Sequence, residues 1–235
     1  MEGLNIDLES RPVWVVSIAR AGSGKSTLTR AIFYAAAKKK IYKHIICFTG
    51  TAKSLNNEYD WLPDHAVREL KSPNQLFSIF EKLKNWKKKN PKKALSSMCL
   101  ILDDVQGDGG TGAGASQLMY DPRFTHIVSC FRHYNCSVFC CWQYFSAMSP
   151  HSRSAIDYLA MFRTRSKAAI RGLSAICDAH FENRKEFLDC LQKATEEKYS
   201  CLWYDARAAK KENAFQSFKA TPPPPFKVEF ENPGL

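Results

Sequence analysis

Residues 16–27 read VSIARAGSGKST, and their reading decides the fold. An apolar run, VWVVSI at 13–18, leads into a glycine-rich turn, and STLTRAIFYAAAKKK at 26–40 follows with strong helix formers and a cationic end. That order is strand, loop, helix. Such a loop holds phosphate because glycines let successive backbone N–H groups turn inward at a helix N-terminus, where the dipole also favours an anion. Gly22 and Gly24 supply this freedom. Ala21, Ser23 and Thr27 complete the cradle, Thr27 on its α-phosphate side. Lys25 is placed to reach the β and γ phosphates of a nucleoside triphosphate, and the Ser26 hydroxyl to ligate Mg²⁺. The motif's usual opening glycine is replaced by Ala19. That position shapes the strand-to-loop turn rather than touching the γ-phosphate, so its methyl is read as a tolerated variant.

Working outward, IYKHIICFTGT (41–51) predicts a second strand and PNQLFSIFEKLKNWKKK (73–89) an amphipathic helix. SSMCLILDDV (96–105) is a strand apolar enough to be buried on both faces, as in a parallel sheet. It ends in two carboxylates. Asp103 is placed to hold Mg²⁺ through water, and Asp104 to orient or polarise the attacking water. DPRFTHIVSCFRHYN (121–135) predicts a helix, and CSVFCCWQ (136–143) a buried strand closing in Gln143. Its amide would lie near the γ-phosphate; the plainer reading is a strand-end cap. Later, EFLDCLQKATEEK (186–198) predicts a helix and YSCLWYDAR (199–207) a last strand. The alternation predicts an α/β fold with a central mostly parallel sheet flanked by helices, and the glycine loop makes it a P-loop NTPase. The expected organisation is an N-terminal extension at 1–12, an ATPase domain at 13–207 and a proline-rich tail at 208–235. Four consecutive prolines in that tail exclude helix and central strand alike. GDGGTGAGAS (107–116), with five glycines, predicts a mobile loop directly after the aspartates.

Lysine and arginine outnumber aspartate and glutamate by 34 to 23, a formal net charge of +11. The excess is concentrated in AAAKKKIYKH (35–44) and EKLKNWKKKNPKK (81–93). Lysine runs serve either as solvated helix faces or as phosphate contacts. Trp86 inside the second run, on a basic chain, adds weight to nucleic acid. Neither run could read base sequence; both would make binding salt-sensitive. The nine cysteines form no CxxC pair, so zinc-ligand spacing is absent and buried thiols in a reducing compartment are expected. No apolar run approaches the roughly 20 residues of a membrane helix.

Phosphoryl transfer also draws on an arginine. Arg123, Arg132, Arg153, Arg163 and Arg165 are candidates, each otherwise solvated or in an ordinary ion pair. Taken in order, the features resemble the genome-packaging ATPases of double-stranded DNA viruses, the poxvirus-type branch of the FtsK-HerA superfamily, found also in virophages and polinton-like elements. The resemblance rests on GSGKST, MCLILDD, Arg132-His133 followed by Gln143, the arginine of SPHSRSA, and FLDCLQKATEEKYSCLWYD, spanning about residues 13–205. GSGKST and ILDD are common to P-loop ATPases, so specificity lies in the other segments. The resemblance implies a P-loop NTPase fold of the additional-strand, RecA-like type, and an oligomeric ring that hydrolyses ATP with Mg²⁺ to translocate double-stranded DNA into a preformed capsid. Its partners would be DNA, capsid proteins and further copies of the chain, in the host cytoplasm or viral factory and transiently at the capsid vertex. It assigns Lys25 and Ser26 to nucleotide and Mg²⁺, Asp103 and Asp104 to metal and water, and Gln143 to γ-phosphate sensing. Arg132 or Arg153 would act across the subunit boundary, with no decision between them. The departures are Ala19 and Asp104, where glutamate is more usual. In this setting the glycine stretch would pass nucleotide state to DNA, or be a surface excursion, and the tail would dock on capsid or a neighbouring subunit. A helicase, a small-molecule kinase and a nucleotide-gated scaffold with vestigial hydrolysis are the other readings of the same motifs.

Overall fold

Strand β1 (Trp14–Ile18) is buried at every position, as a central strand covered on both faces must be. In the computed structural model, which describes residues 4–50, 57–105, 118, 121–143 and 148–228, it lies between β5 (Cys136–Trp142) and β6 (Tyr158–Phe162), parallel to both. Beyond β5 lie β4 (Met98–Asp103), β2 (His44–Thr49) and β3 (Val67–Glu69), also parallel. Beyond β6, β7 (Ser200–Asp205) and β8 (Phe215–Lys219) run antiparallel. The sheet order is β3-β2-β4-β5-β1-β6-β7-β8. Strand β5 therefore separates the strand before the glycine loop from the strand that ends in aspartates, which is the additional-strand arrangement. Register levels the carboxyl ends: Ile18 pairs with Trp142, Cys141 with Asp103, and Asp103 with Thr49.

One face of the sheet carries α1 (Lys25–Lys38), whose Phe33 packs on Tyr42, Trp61 and Phe139. The other carries α2 (Pro73–Lys89), α3 (Pro122–Cys130), the short α4 (Pro150–Ser154), α5 (Lys167–Ser174) and α6 (Arg184–Ala194). A last short helix, α7 (Lys211–Ala214), leads into β8. Helix α2 starts where it does because Ser72 and Gln75 form a capping box ahead of Pro73. Its Leu76, Phe77, Ile79, Phe80 and Leu83 are buried, while its lysines stay in water. The helix expected over 121–135 is α3 followed by a 3₁₀ turn at Phe131–Tyr134, closed by Asn135 at φ 49°.

The expected domain boundaries shift. Residues 4–12 belong to the fold: Leu4 and Leu8 are buried, Trp203 Nε1 donates to the Asn5 carbonyl at 3.1 Å, and the Asp7 N–H donates to the Tyr158 hydroxyl at 2.8 Å. The boundary at 208 also fails, because β8 extends the sheet and the proline segment lies on its own domain rather than free. Phe226 stacks on Trp61 at 5.4 Å and meets Tyr34 edge-on at 5.1 Å, and the Val228 N–H donates to the Trp61 carbonyl at 3.0 Å. Extended proline backbone suits such a path because it lacks donors that would need partners. The glycine stretch 107–116 and the end of the tail from 229 lie outside the described residues.

The two lysine runs meet. One sits where α1 hands over to β2, the other where α2 hands over to β4. These strands are neighbours, and the Lys43 N–H donates to the Ser97 carbonyl at 3.0 Å. Exposed Lys39, Lys40, Lys88, Lys89, Lys92 and Lys93 thus gather at the amino ends of the strands, the pole opposite the glycine loop. All nine cysteines are free thiols, buried except for the half-buried Cys130 and Cys190. Among the described residues no helix is long and apolar enough to cross a membrane.

Candidate active site

Ala19 still belongs to the sheet. Its N–H donates to the Trp142 carbonyl at 3.0 Å, and its methyl is buried in the core on the α1 face. A side chain at this position therefore contributes packing. The loop proper needs glycine at Gly22 (φ 73°) and Gly24 (φ 103°), both left-handed. Gly24 also has Tyr199 against it, 3.2 Å from where a Cβ would sit. The first turn of α1 has no acidic residue, so its dipole is left for an anion. Lys25 is buried over the loop, Nζ donating to the carbonyls of Ala19 at 2.6 Å and Arg20 at 3.2 Å. Phosphate oxygens can replace those carbonyls as acceptors.

Asp103 closes β4 and Asp104 follows at φ 49°, a left-handed conformation that aspartate tolerates. The Asp104 N–H donates to the Cys141 carbonyl at 3.0 Å. Gly50, just beyond β2, permits this path: its N–H donates to the Asp103 carbonyl at 2.9 Å, and a Cβ on it would lie 2.0 Å from the Asp104 carbonyl oxygen. Gln143 turns its amide onto Asp104, Nε2 lying 2.9 Å from Oδ1 and 2.8 Å from Oδ2.

A third carboxylate joins them. Glu58, in the 3₁₀ turn Asn57–Tyr59, accepts a hydrogen bond from Ser26 Oγ at 3.0 Å. Burial pushes the Asp103 carboxyl up to about 6; the charges of Glu58 and Asp104 add to this, while the Tyr59 hydroxyl and the Lys25 ammonium pull it down. The Tyr59 hydroxyl is buried and closes no hydrogen bond of ordinary geometry. Asp103 and Glu58 beside the Ser26 hydroxyl are an oxygen donor set suited to a hard divalent cation. Among the described residues, no three or more His, Cys, Asp or Glu side chains could hold a metal on their own. Mg²⁺ binds through one or two carboxylates together with substrate phosphates.

The two favoured arginines lie elsewhere. Arg132 precedes the amino end of β5, and its Nη2 donates to Asp157 Oδ2 at 2.6 Å. Asp157, 3% exposed, also accepts from Arg11 Nη2 at 3.1 Å and from the Trp14 N–H at 2.8 Å. This is the end of the strands opposite Lys25. Arg153, in α4, donates from Nε to the Met148 carbonyl at 3.0 Å, and its own carbonyl accepts from Ile156 ahead of β6. Neither is brought to this chain's own phosphate loop. Arg123 pairs with Asp121 at 2.7 Å, whereas Arg163, past the carboxyl end of β6, lines a cavity with Gly22 and Ser23. Arg165 is exposed two residues further on.

A glycine loop after the central strand, aspartates on the next strand but one and a glutamine on the strand between define a P-loop ATPase of the additional-strand class. Within that class, the chain belongs to the family described as Poxvirus A32 protein, which matches residues 5–211. No curated protein matches it. Its fold is similar to that of B204, the DNA-packaging ATPase of Sulfolobus turreted icosahedral virus (21% identity, TM-score 0.54, 83% of this chain and 94% of that one). It is similar also to the genome packaging NTPase B204 of Sulfolobus turreted icosahedral virus 2 in complex with ATP-γ-S (18% identity, TM-score 0.59, 89% and 98%). The cytoplasmic domain of the type VII secretion ATPase EccC from Thermomonospora curvata shares the fold as well (15% identity, TM-score 0.54, 87% and 26%).

Proposed function

We propose that the chain is an ATP-driven motor that translocates double-stranded DNA into a viral capsid. The observation that carries this reading is the convergence of Lys25, Ser26, Asp103, Asp104 and Gln143 at one end of the sheet, in a member of the Poxvirus A32 family. Its fold is that of B204 proteins that package viral genomes.

Backbone N–H groups of residues 21–27 cradle the phosphates, and Lys25 leaves the Ala19 and Arg20 carbonyls to neutralise the β and γ oxygens. Ser26 and Asp103 would hold Mg²⁺, with Glu58 beside Ser26, and the ion would offset the phosphate charge. Asp104, held by Gln143, orients a water in line with the γ-phosphorus and takes up its proton. The new P–O bond forms as the bond to the β–γ bridging oxygen breaks, leaving ADP and inorganic phosphate. Positive charge on the far side comes from Arg132 or Arg153 of a neighbouring copy, so the active form is a homo-oligomeric ring. The merged lysine surface holds DNA phosphates without reading bases. Its place of work is the infected cell at virion assembly, with a capsid protein as docking partner.

Phosphate release by the wild type and by Lys25→Ala, with and without double-stranded DNA, tests the reading. Turnover that rises with DNA and vanishes in the variant is expected. A wild type with no turnover, or one indifferent to DNA, overturns it.

A further inference from the structure

Beside the glycine loop, on the side away from Asp103 and Asp104, lies a cavity of about 290 Å³. Gly22, Ser23, Arg163, Glu196, Lys198 and Tyr199 are among the residues that line it. Sheet order fixes what this position means. The carboxylates come from β4, reached from β1 through β5, whereas the cavity sits at the ends of β6 and β7 on the other side of β1. A triphosphate laid along the loop with its γ end at Asp104 directs its other end here.

Tyr199 is held there at some cost. Its backbone sits at φ 68°, a conformation uncommon for a bulky residue. The surroundings impose it: Tyr199 Cβ and Cα lie 3.3 and 3.4 Å from where a Gly24 Cβ would be, and the Tyr199 carbonyl accepts from the Ala220 N–H at 3.0 Å. Yet its side chain is presented to solvent, the residue being 40% exposed, the most of any large hydrophobic residue among those described. The fold thus pins an open aromatic ring against the phosphate loop itself. Lys198 Nζ lies over that ring, 4.8 Å from its centroid, an exposed and readily displaced contact. The Glu196 carboxylate on the same wall is an acceptor for an exocyclic amine or a ribose hydroxyl.

We infer that this cavity is the base-and-ribose subsite of the nucleotide, with the Tyr199 ring as the platform on which the nucleobase stacks. The inference rests on the nucleotide-site reading above. Titrations of the full chain with ATP and with inorganic tripolyphosphate, which has no base, separate the two. Wild type should bind ATP more tightly than tripolyphosphate. Tyr199→Ala should weaken ATP about tenfold, the scale of one base–aromatic stack, and leave tripolyphosphate unchanged. Tyr199→Phe should restore ATP. If Tyr199→Ala leaves ATP binding intact, or weakens both ligands equally by releasing Gly24, the subsite is refuted. A wild type that binds tripolyphosphate as tightly as ATP refutes the subsite alone, and one that binds neither refutes the phosphate site as well.

Discussion

The Gln143 amide nitrogen stands 2.9 and 2.8 Å from the two carboxylate oxygens of Asp104, so one donor fixes the plane of the carboxylate we propose to meet the attacking water. Removing it should affect the chemical step more than binding. Gln143→Ala is expected to lower turnover about a hundredfold, within the range of positioned acid–base catalysis, with ATP affinity unchanged. Gln143→Glu, which sets a like charge against Asp104, should be at least as harmful. Single-turnover phosphate release beside a nucleotide titration checks both; a loss of affinity matching the loss of rate would place Gln143 in binding instead.

Glu58 should leave a two-sided signature. Its charge repels the γ-phosphate when metal is absent and attracts Mg²⁺ when it is present. Glu58→Gln is therefore expected to tighten metal-free ATP binding and to raise the Mg²⁺ concentration needed for half-maximal turnover, each by about tenfold, or one charge pair at partial exposure. Calorimetry with ATP in a chelator, and a Mg²⁺ titration of phosphate release, read the two arms.

Asp103 carries a pH-dependent cost. Its carboxyl titrates at about 6 in the folded chain against 3.8 for an ordinary aspartate. Between those values the native state holds a proton the unfolded chain has lost, so this group's contribution to stability falls as pH rises through that window. Fully ionised, it costs the nucleotide-free fold about 3 kcal/mol. Asp103→Asn should raise the neutral-pH melting temperature and flatten its acid-to-neutral slope, while abolishing Mg²⁺-dependent hydrolysis. Parallel melting profiles for variant and wild type would rule this out.

Arg132 has two possible uses, and they can be told apart. Arg132→Ala leaves buried Asp157 with the Arg11 guanidinium and the Trp14 N–H, which should cost about 2 kcal/mol of stability. Asp157→Asn disturbs the same cluster and keeps the arginine. Should the first variant lose turnover and the second keep it at a temperature where both are folded, Arg132 acts across the subunit boundary. Equal losses in both would make Arg132 a structural residue and leave Arg153 as the trans candidate.

The glycine loop and the paired aspartates were legible because their chemistry is written in contiguous residues between an apolar run and a turn. Glu58 carried no such signal. It sits in a polar stretch without a motif and reaches Ser26 because its turn lies beyond β2, the strand paired with β4. Gly50 is similar, since its missing side chain matters only where the Asp104 carbonyl passes. The polar opening of the chain hid Leu4 and Leu8, which find burial against strands nearly the whole sequence away. β8, in FQSFK, is a short half-buried edge strand just before four prolines, and its pattern is too brief to outweigh them.

Residues 221–228 leave the β8 edge, cross α1 and end on Trp61, whose Nε1 donates to the Glu58 carbonyl at 3.0 Å. The proline strap and the turn that carries the Glu58 carboxylate are therefore mechanically in series. A capsid protein or neighbouring copy that drew Phe226 off Trp61 would slacken the Glu58 turn and throttle hydrolysis from a distance. Truncation after residue 220 is therefore expected to lower hydrolysis as well as any docking, and phosphate release by the truncated chain checks it.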